Sequence, residues 1–97
     1  MNAREILGWN LRRLRVAKGL SQERLAFEAD IDRSYVGRVE RGTENVTIAR
    51  LESFARVLEV TVAQLLTEPD ATEAAPRALP SGRKPKQRRA TTSTDKQ

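Results

Sequence analysis

The sequence predicts an all-α fold, with five short helices over residues 1–68 and a disordered basic tail over 69–97. Three observations predict it. Polar residues flanked by apolar ones recur at helix-start spacing throughout the first part. Between those starts, apolar residues fall at intervals of three and four, the spacing of one helix face. Composition then changes sharply near residue 68. All four prolines (Pro69, Pro76, Pro80, Pro85) follow it, and all four aromatics (Trp9, Phe27, Tyr35, Phe54) precede it. The first part carries 11 basic and 10 acidic residues, the second 7 and 3. The basic excess therefore sits in a segment whose one large apolar residue is Leu79, and such a segment cannot build a core.

The helices follow in order from their start signals. A polar N-cap accepts from the first turn, and an apolar residue before it packs on the fourth helical residue. Asn2 fits this pattern, with Met1 and Ile6 as the apolar pair and Glu5 completing a capping box. The helix it opens runs near 3–18 and ends at Gly19, with Leu7, Leu11 and Leu14 as its stripe. Ser21, between Leu20 and Leu25, opens a helix near 22–29. Its closing position is Asp30, where glycine would be easier and aspartate is tolerated. Asp32, with Ile31 and Val36, opens a helix near 33–41 that stops at Gly42. Thr47, with Val46 and Leu51, opens one near 48–59 lined by Leu51, Phe54, Val57 and Leu58. Thr61, with Val60, Leu65 and a capping-box Gln64, opens the last, near 62–67. Leu25, Ala26, Ile31, Val36, Val39, Leu65 and Leu66 complete the expected core.

Several function classes are excluded. Cysteine and histidine are absent, which removes disulfides, zinc fingers and thiolate or imidazole catalysis. The carboxylates are dispersed along helices, and no nucleophile–base set or glycine-rich phosphate loop is present. No enzyme activity, cofactor, metal or small-molecule ligand is expected. No apolar run reaches the length of a membrane span and no signal-peptide pattern opens the chain, so no membrane partner and a cytoplasmic location are expected. The net charge of +5 leans toward nucleic acid or another polyanion.

The second and third helices form two short helices joined by a tight turn, the helix-turn-helix unit. The stretch from Gly19-Leu20-Ser21-Gln22 through Ala26, Ile31, Val36 and Val39 to Glu40-Arg41-Gly42 resembles the phage repressor/Cro-type family, also called xenobiotic-response-element regulators. Asn45, Thr47 and Leu51 match its next loop and helix, and the resemblance covers about residues 3–67. Asp30 departs from the usual turn glycine, and Val46 stands where many relatives have proline. The resemblance implies a five-helix lambda-repressor-like DNA-binding domain over 1–68. It implies a bacterial or phage transcriptional regulator, a repressor in the first instance, binding double-stranded DNA at a palindromic operator as a homodimer. The surface around the fifth helix would join the two copies. A protein of this kind would be associated with the nucleoid. The rival is an antitoxin-type interaction module that also binds its own promoter. A tail with Leu79 as its one large apolar residue is a poor anchor for that role.

Candidate contacts lie on the third helix. Val36 and Val39 define its inward side, so Ser34, Arg38 and Arg41 fall opposite, beside the gap left by Gly37. Arg33 begins the helix and Tyr35 lies on a flank. Arginine pairs bidentately with guanine, and Arg33, Ser34 and Arg38 are the candidates for base edges. Gln22 starts the second helix, where amides and the dipole meet a phosphate, as its counterpart does in the family. Tyr35, Arg41, Thr43 and Asn45 are the other phosphate candidates, against the bland alternative of a core rim and a polar loop. Arg15 and Glu40 each flank an apolar face, and the resemblance implies a partly buried ion pair between them that holds the first helix against the third. Trp9 and Val16 point away from the leucine stripe, either as a partner patch or as a ring lying over its neighbours.

Overall fold

The computed structural model describes residues 1–70, which hold five helices and no strand. They are α1 (Ala3–Ala17), α2 (Gln22–Ala29), α3 (Arg33–Glu40), α4 (Ile48–Leu58) and α5 (Val62–Leu65). Four of the five expected N-caps accept hydrogen bonds as their spacing suggests. Asn2 and Thr61 close capping boxes with Glu5 and Gln64, and Ser21 and Thr47 accept from Arg24 and Arg50 amides. Asp32 is the exception. It holds the N-cap position but makes no side-chain cap bond, because its carboxylate accepts the Ser34 hydroxyl instead.

The helix ends share one device. The residues after α1, α2, α3 and α4 that turn left-handed are Gly19, Asp30, Gly42 and Glu59, with φ of 75, 59, 77 and 60°. In each case the next N–H donates five residues back, as in Leu20 to Arg15, Ile31 to Ala26, Thr43 to Arg38 and Val60 to Ala55. Four helices end short of their expected bounds: α1 at Ala17, α3 at Glu40, α5 at Leu65, and α4 at Leu58, where Glu59 is the left-handed cap. Lys18 donates to Glu59 at 2.9 Å, which holds that exposed carboxyl below the usual carboxylate range.

One core joins the helices. Leu7, Leu11, Leu25, Ala26, Val36, Val39, Leu51, Phe54, Val57, Leu58 and Leu65 are buried, together with Ala29 and Ala55. Leu14 and Ile31 pack against it half-buried. Leu66 was expected in this core, yet it is 42% exposed. The short α5 ends at Leu65, so the residue after it turns outward. A polar residue, Asn10, is buried instead. Its Nδ2 donates to the Leu65 and Thr67 carbonyls at 3.0 and 2.8 Å, closing α5 onto α1.

The crossing of α1 over α3 depends on Gly8. A methyl group there would lie 2.6 Å from the Val39 carbonyl oxygen and 2.8 Å from that of Glu40. Trp9 and Val16 are half-buried, so they do not form an exposed patch. The Trp9 ring lies under the Arg13 guanidinium at 5.4 Å and along a groove beside Gly8 and Arg12. The tail expected to be disordered lies, from residue 71 onward, outside the described residues.

Candidate nucleic-acid interface

The turn at Asp30 sets α2 and α3 as the two arms of one unit. Val36 and Val39 bury one side of α3, which leaves Arg33, Ser34 and Arg38 exposed on the other. This exposed face is cross-linked. Arg38 Nε donates to Glu44 Oε1 at 2.8 Å, and its Nη1 lies 3.5 Å from Ser34 Oγ. Ser34 in turn donates to Asp32. Donating to the Glu44 carboxylate raises the Arg38 pKa above its ordinary value, so the guanidinium stays charged.

Tyr35 stands half-buried at the edge of this face, with guanidinium carbons 5.7 Å (Arg38) and 5.0 Å (Arg50) from its ring centroid. Burial, then the Glu44 carboxylate, push the phenol above its ordinary value. The hydroxyl therefore stays a neutral donor at physiological pH.

A second cluster joins α1, α2 and the end of α3. Arg15 Nε donates to Glu40 Oε2 at 2.6 Å and its Nη2 to Oε1 at 3.0 Å, with the two side chains 5% and 4% exposed. Arg15 Nη1 also donates to the Leu20 carbonyl at 2.8 Å, fixing the turn into α2. Gln22, the first residue of α2, donates to Glu40 Oε1 at 3.1 Å. Arg41 lies close across Gly37. A methyl group on Gly37 would come within 3.3 Å of Arg41 Nη1 and 4.0 Å of Gln22 Oε1. The missing side chain thus leaves room for Arg41 Nη1 and Gln22 Oε1 on either side of Gly37, while Gln22 Nε2 is turned to Glu40.

The loop after α3 holds the remaining candidates, and both serve the fold as well. Thr43 donates to the Arg38 carbonyl at 3.1 Å, closing α3. Asn45 accepts from Arg4 Nη1 at 3.0 Å, tying the loop to α1. The structure therefore brings Ser34, Tyr35 and Arg38 together, leaves Arg33 exposed at the start of the same helix, and sets Gln22 and Arg41 on either side of Gly37. Glu44, Arg50 and Arg4 contact these candidates but carry no sequence signal of their own. Glu44 reaches Arg38 only because the chain doubles back at Gly42. No cluster of three or more possible metal ligands exists among the described residues, and no helix among them is long and apolar enough to cross a membrane.

Comparison with known proteins places this geometry. The helix-turn-helix family matches residues 11–65. The control protein C.BamHI of Bacillus amyloliquefaciens is 41% identical over 66 residues, covering 67% of this chain and 82% of that one. The crystal structure of the restriction-modification controller protein C.AhdI from Aeromonas hydrophila is 48% identical with a TM-score of 0.62, covering 64% of this chain and 94% of that one. The biofilm regulator SinR, solved in complex with DNA, is 35% identical with a TM-score of 0.61, covering 63% and 98%.

Proposed function

The chain belongs to the helix-turn-helix family of DNA-binding transcriptional regulators, and from that premise we propose that two copies bind a palindromic operator and repress by occluding it. The observation that carries this reading is the exposed face of α3, where Arg33, Ser34 and Arg38 stand together on a helix whose other side is core. Those three residues read base edges in the major groove. Gln22, through its backbone amide at the start of α2, and the Arg41 guanidinium meet the DNA backbone, and Tyr35 supplies a further donor at the edge. Thr43 and Asn45 hold the loop that follows α3 and offer their remaining hydrogen-bonding capacity to the flanking backbone. The structural role of Arg15 and Glu40 is to keep this arrangement rigid. SinR, a relative solved with DNA, supports the partner class.

An α3 of eight residues spans only a few base pairs, so one copy alone reads a short site. The exposed Leu66 and half-buried Val62 leave apolar surface around α5, where a second copy would pack. The protein would act in the cytoplasm, on nucleoid DNA. Selection of bound duplexes from a random pool, with sedimentation of the protein alone and on the selected site, tests the reading. A palindrome with half-sites about 34 Å apart and a two-copy complex are expected. A non-palindromic site bound by one copy would overturn the homodimer.

A further inference from the structure

The carboxylate on Arg38 is what the proposed reading leaves unexplained. An acidic residue on a surface that meets a polyanion opposes binding, yet Glu44 sits directly on the candidate base reader. Its side chain is 25% exposed against 44% for Arg38. Exposed pairs of this kind contribute little to folding. The main consequence of the pair is therefore where it holds the guanidinium.

Three contacts define that position. Glu44 occupies Nε, Ser34 Oγ stands 3.5 Å from Nη1, and the Tyr35 ring centroid lies 5.7 Å from the guanidinium carbon. Arg50, 5.0 Å from the same ring centroid, holds the tyrosine. With Nε engaged, the guanidinium presents its two Nη groups end-on. That fork matches guanine O6 and N7. An unrestrained arginine could instead swing to any neighbouring phosphate, an interaction that carries no sequence information.

We propose that Glu44 is a specificity-determining residue, which holds Arg38 in a base-reading orientation and repels backbone phosphate from the same spot. Its charge weakens sequence-blind binding more than matched binding, because only the matched site offers the fork its partner. The inference rests on the reading of Arg38 as a base reader.

The test compares the full chain with its Glu44→Ala, Glu44→Gln, Arg38→Ala and Arg38→Ala/Glu44→Ala variants. Each is titrated on the best duplex from a random-pool selection, on its single-base variants and on an unrelated duplex of equal length, with thermal melts alongside. Glu44→Ala is expected to bind the unrelated duplex severalfold tighter. It should reduce discrimination at one position per half-site by about tenfold, with the melt unchanged. Glu44→Gln, which keeps an acceptor, should lose the repulsion and retain part of the discrimination. In the Arg38→Ala background, Glu44→Ala should change no base preference. If Arg38→Ala relaxes one position and Glu44→Ala relaxes none, the role of Glu44 is overturned while Arg38 remains the reader. Uniform weakening by Arg38→Ala would overturn both.

Discussion

Glu40 ties together the helices around the candidate interface. Its two carboxylate oxygens accept from Arg15 and from Gln22, so one residue binds α1, α2 and α3 together. Both members of the ion pair are almost wholly withdrawn from water. Replacing such a pair by well-packed apolar groups can be neutral, but removing one partner strands a buried charge. Glu40→Ala should therefore lower stability by roughly 3–5 kcal/mol, a large share of what a small domain possesses. A denaturant midpoint unchanged from the parent would show that Arg15 finds water or another acceptor. Gly8 makes a separate demand a short distance away. The carbonyls of Val39 and Glu40 occupy the space a methyl group would need, and neither can move without shifting α3 against α1. Gly8→Ala should cost about 1–3 kcal/mol, although alanine favours helix elsewhere. Comparing its melt with that of Ala17→Gly, on the exposed end of the same helix, separates the clash from simple helix propensity.

The caps show how much of each element was legible, and why the rest was not. Helix starts could be read because a cap and its apolar pair lie within five residues of each other. Ser21 and Thr47 accept from the amides three residues on, as that local pattern implies. Asp32 carries the same pattern, but its carboxylate turns to the Ser34 hydroxyl, a competition that a spacing rule does not contain. Ser21→Ala should consequently cost about 1 kcal/mol and Asp32→Ala clearly less, by chemical melts of the two variants side by side. Helix ends were legible where glycine marks them and missed at Glu59, whose left-handed backbone nothing in its side chain announces. Asp30 takes the same conformation, at φ 59°. Since only glycine adopts it without a steric penalty, Asp30→Gly should stabilise the domain by about 0.5–1 kcal/mol. A fall in melting temperature would mean that the aspartate makes a compensating contact. The candidate interface was legible in part for the same reason. The exposed face of α3 follows from the burial of Val36 and Val39, which is periodic. Glu44, Arg50 and Arg4 are brought to it by the tertiary fold, which places residues from separate elements side by side. Buried Asn10 and exposed Leu66 likewise invert their polarity because α5 is short and lies on α1.

At the scale of the whole chain, charge is the organising quantity. Residues 1–68 carry 11 basic and 10 acidic side chains, so the folded part attracts DNA through the arrangement of its charges and hardly at all through their sum. The pairs Arg15–Glu40, Arg24–Glu28, Arg38–Glu44 and Lys18–Glu59 neutralise much of what is basic there. Arg77, Arg83, Lys84, Lys86, Arg88, Arg89 and Lys96 supply the excess from beyond the described residues. The charge split predicts a division of labour, in which the folded part would distinguish sequences and the basic segment would add affinity that does not. Counterion release makes this measurable, because each neutralised phosphate adds about 0.9 to the slope of log K against log salt. A chain ending at Asp70 keeps every described residue and should melt like the parent. It should select the same duplex from a random pool and lose affinity evenly for matched and unrelated DNA. Its salt slope should be shallower by about 0.9 for every tail cation that touches phosphate. An identical slope in parent and shortened chain would remove the tail from the DNA complex altogether. A shallower slope together with a changed preferred sequence would mean that the tail reads bases, through the minor groove or beside α3, and would end the division of labour.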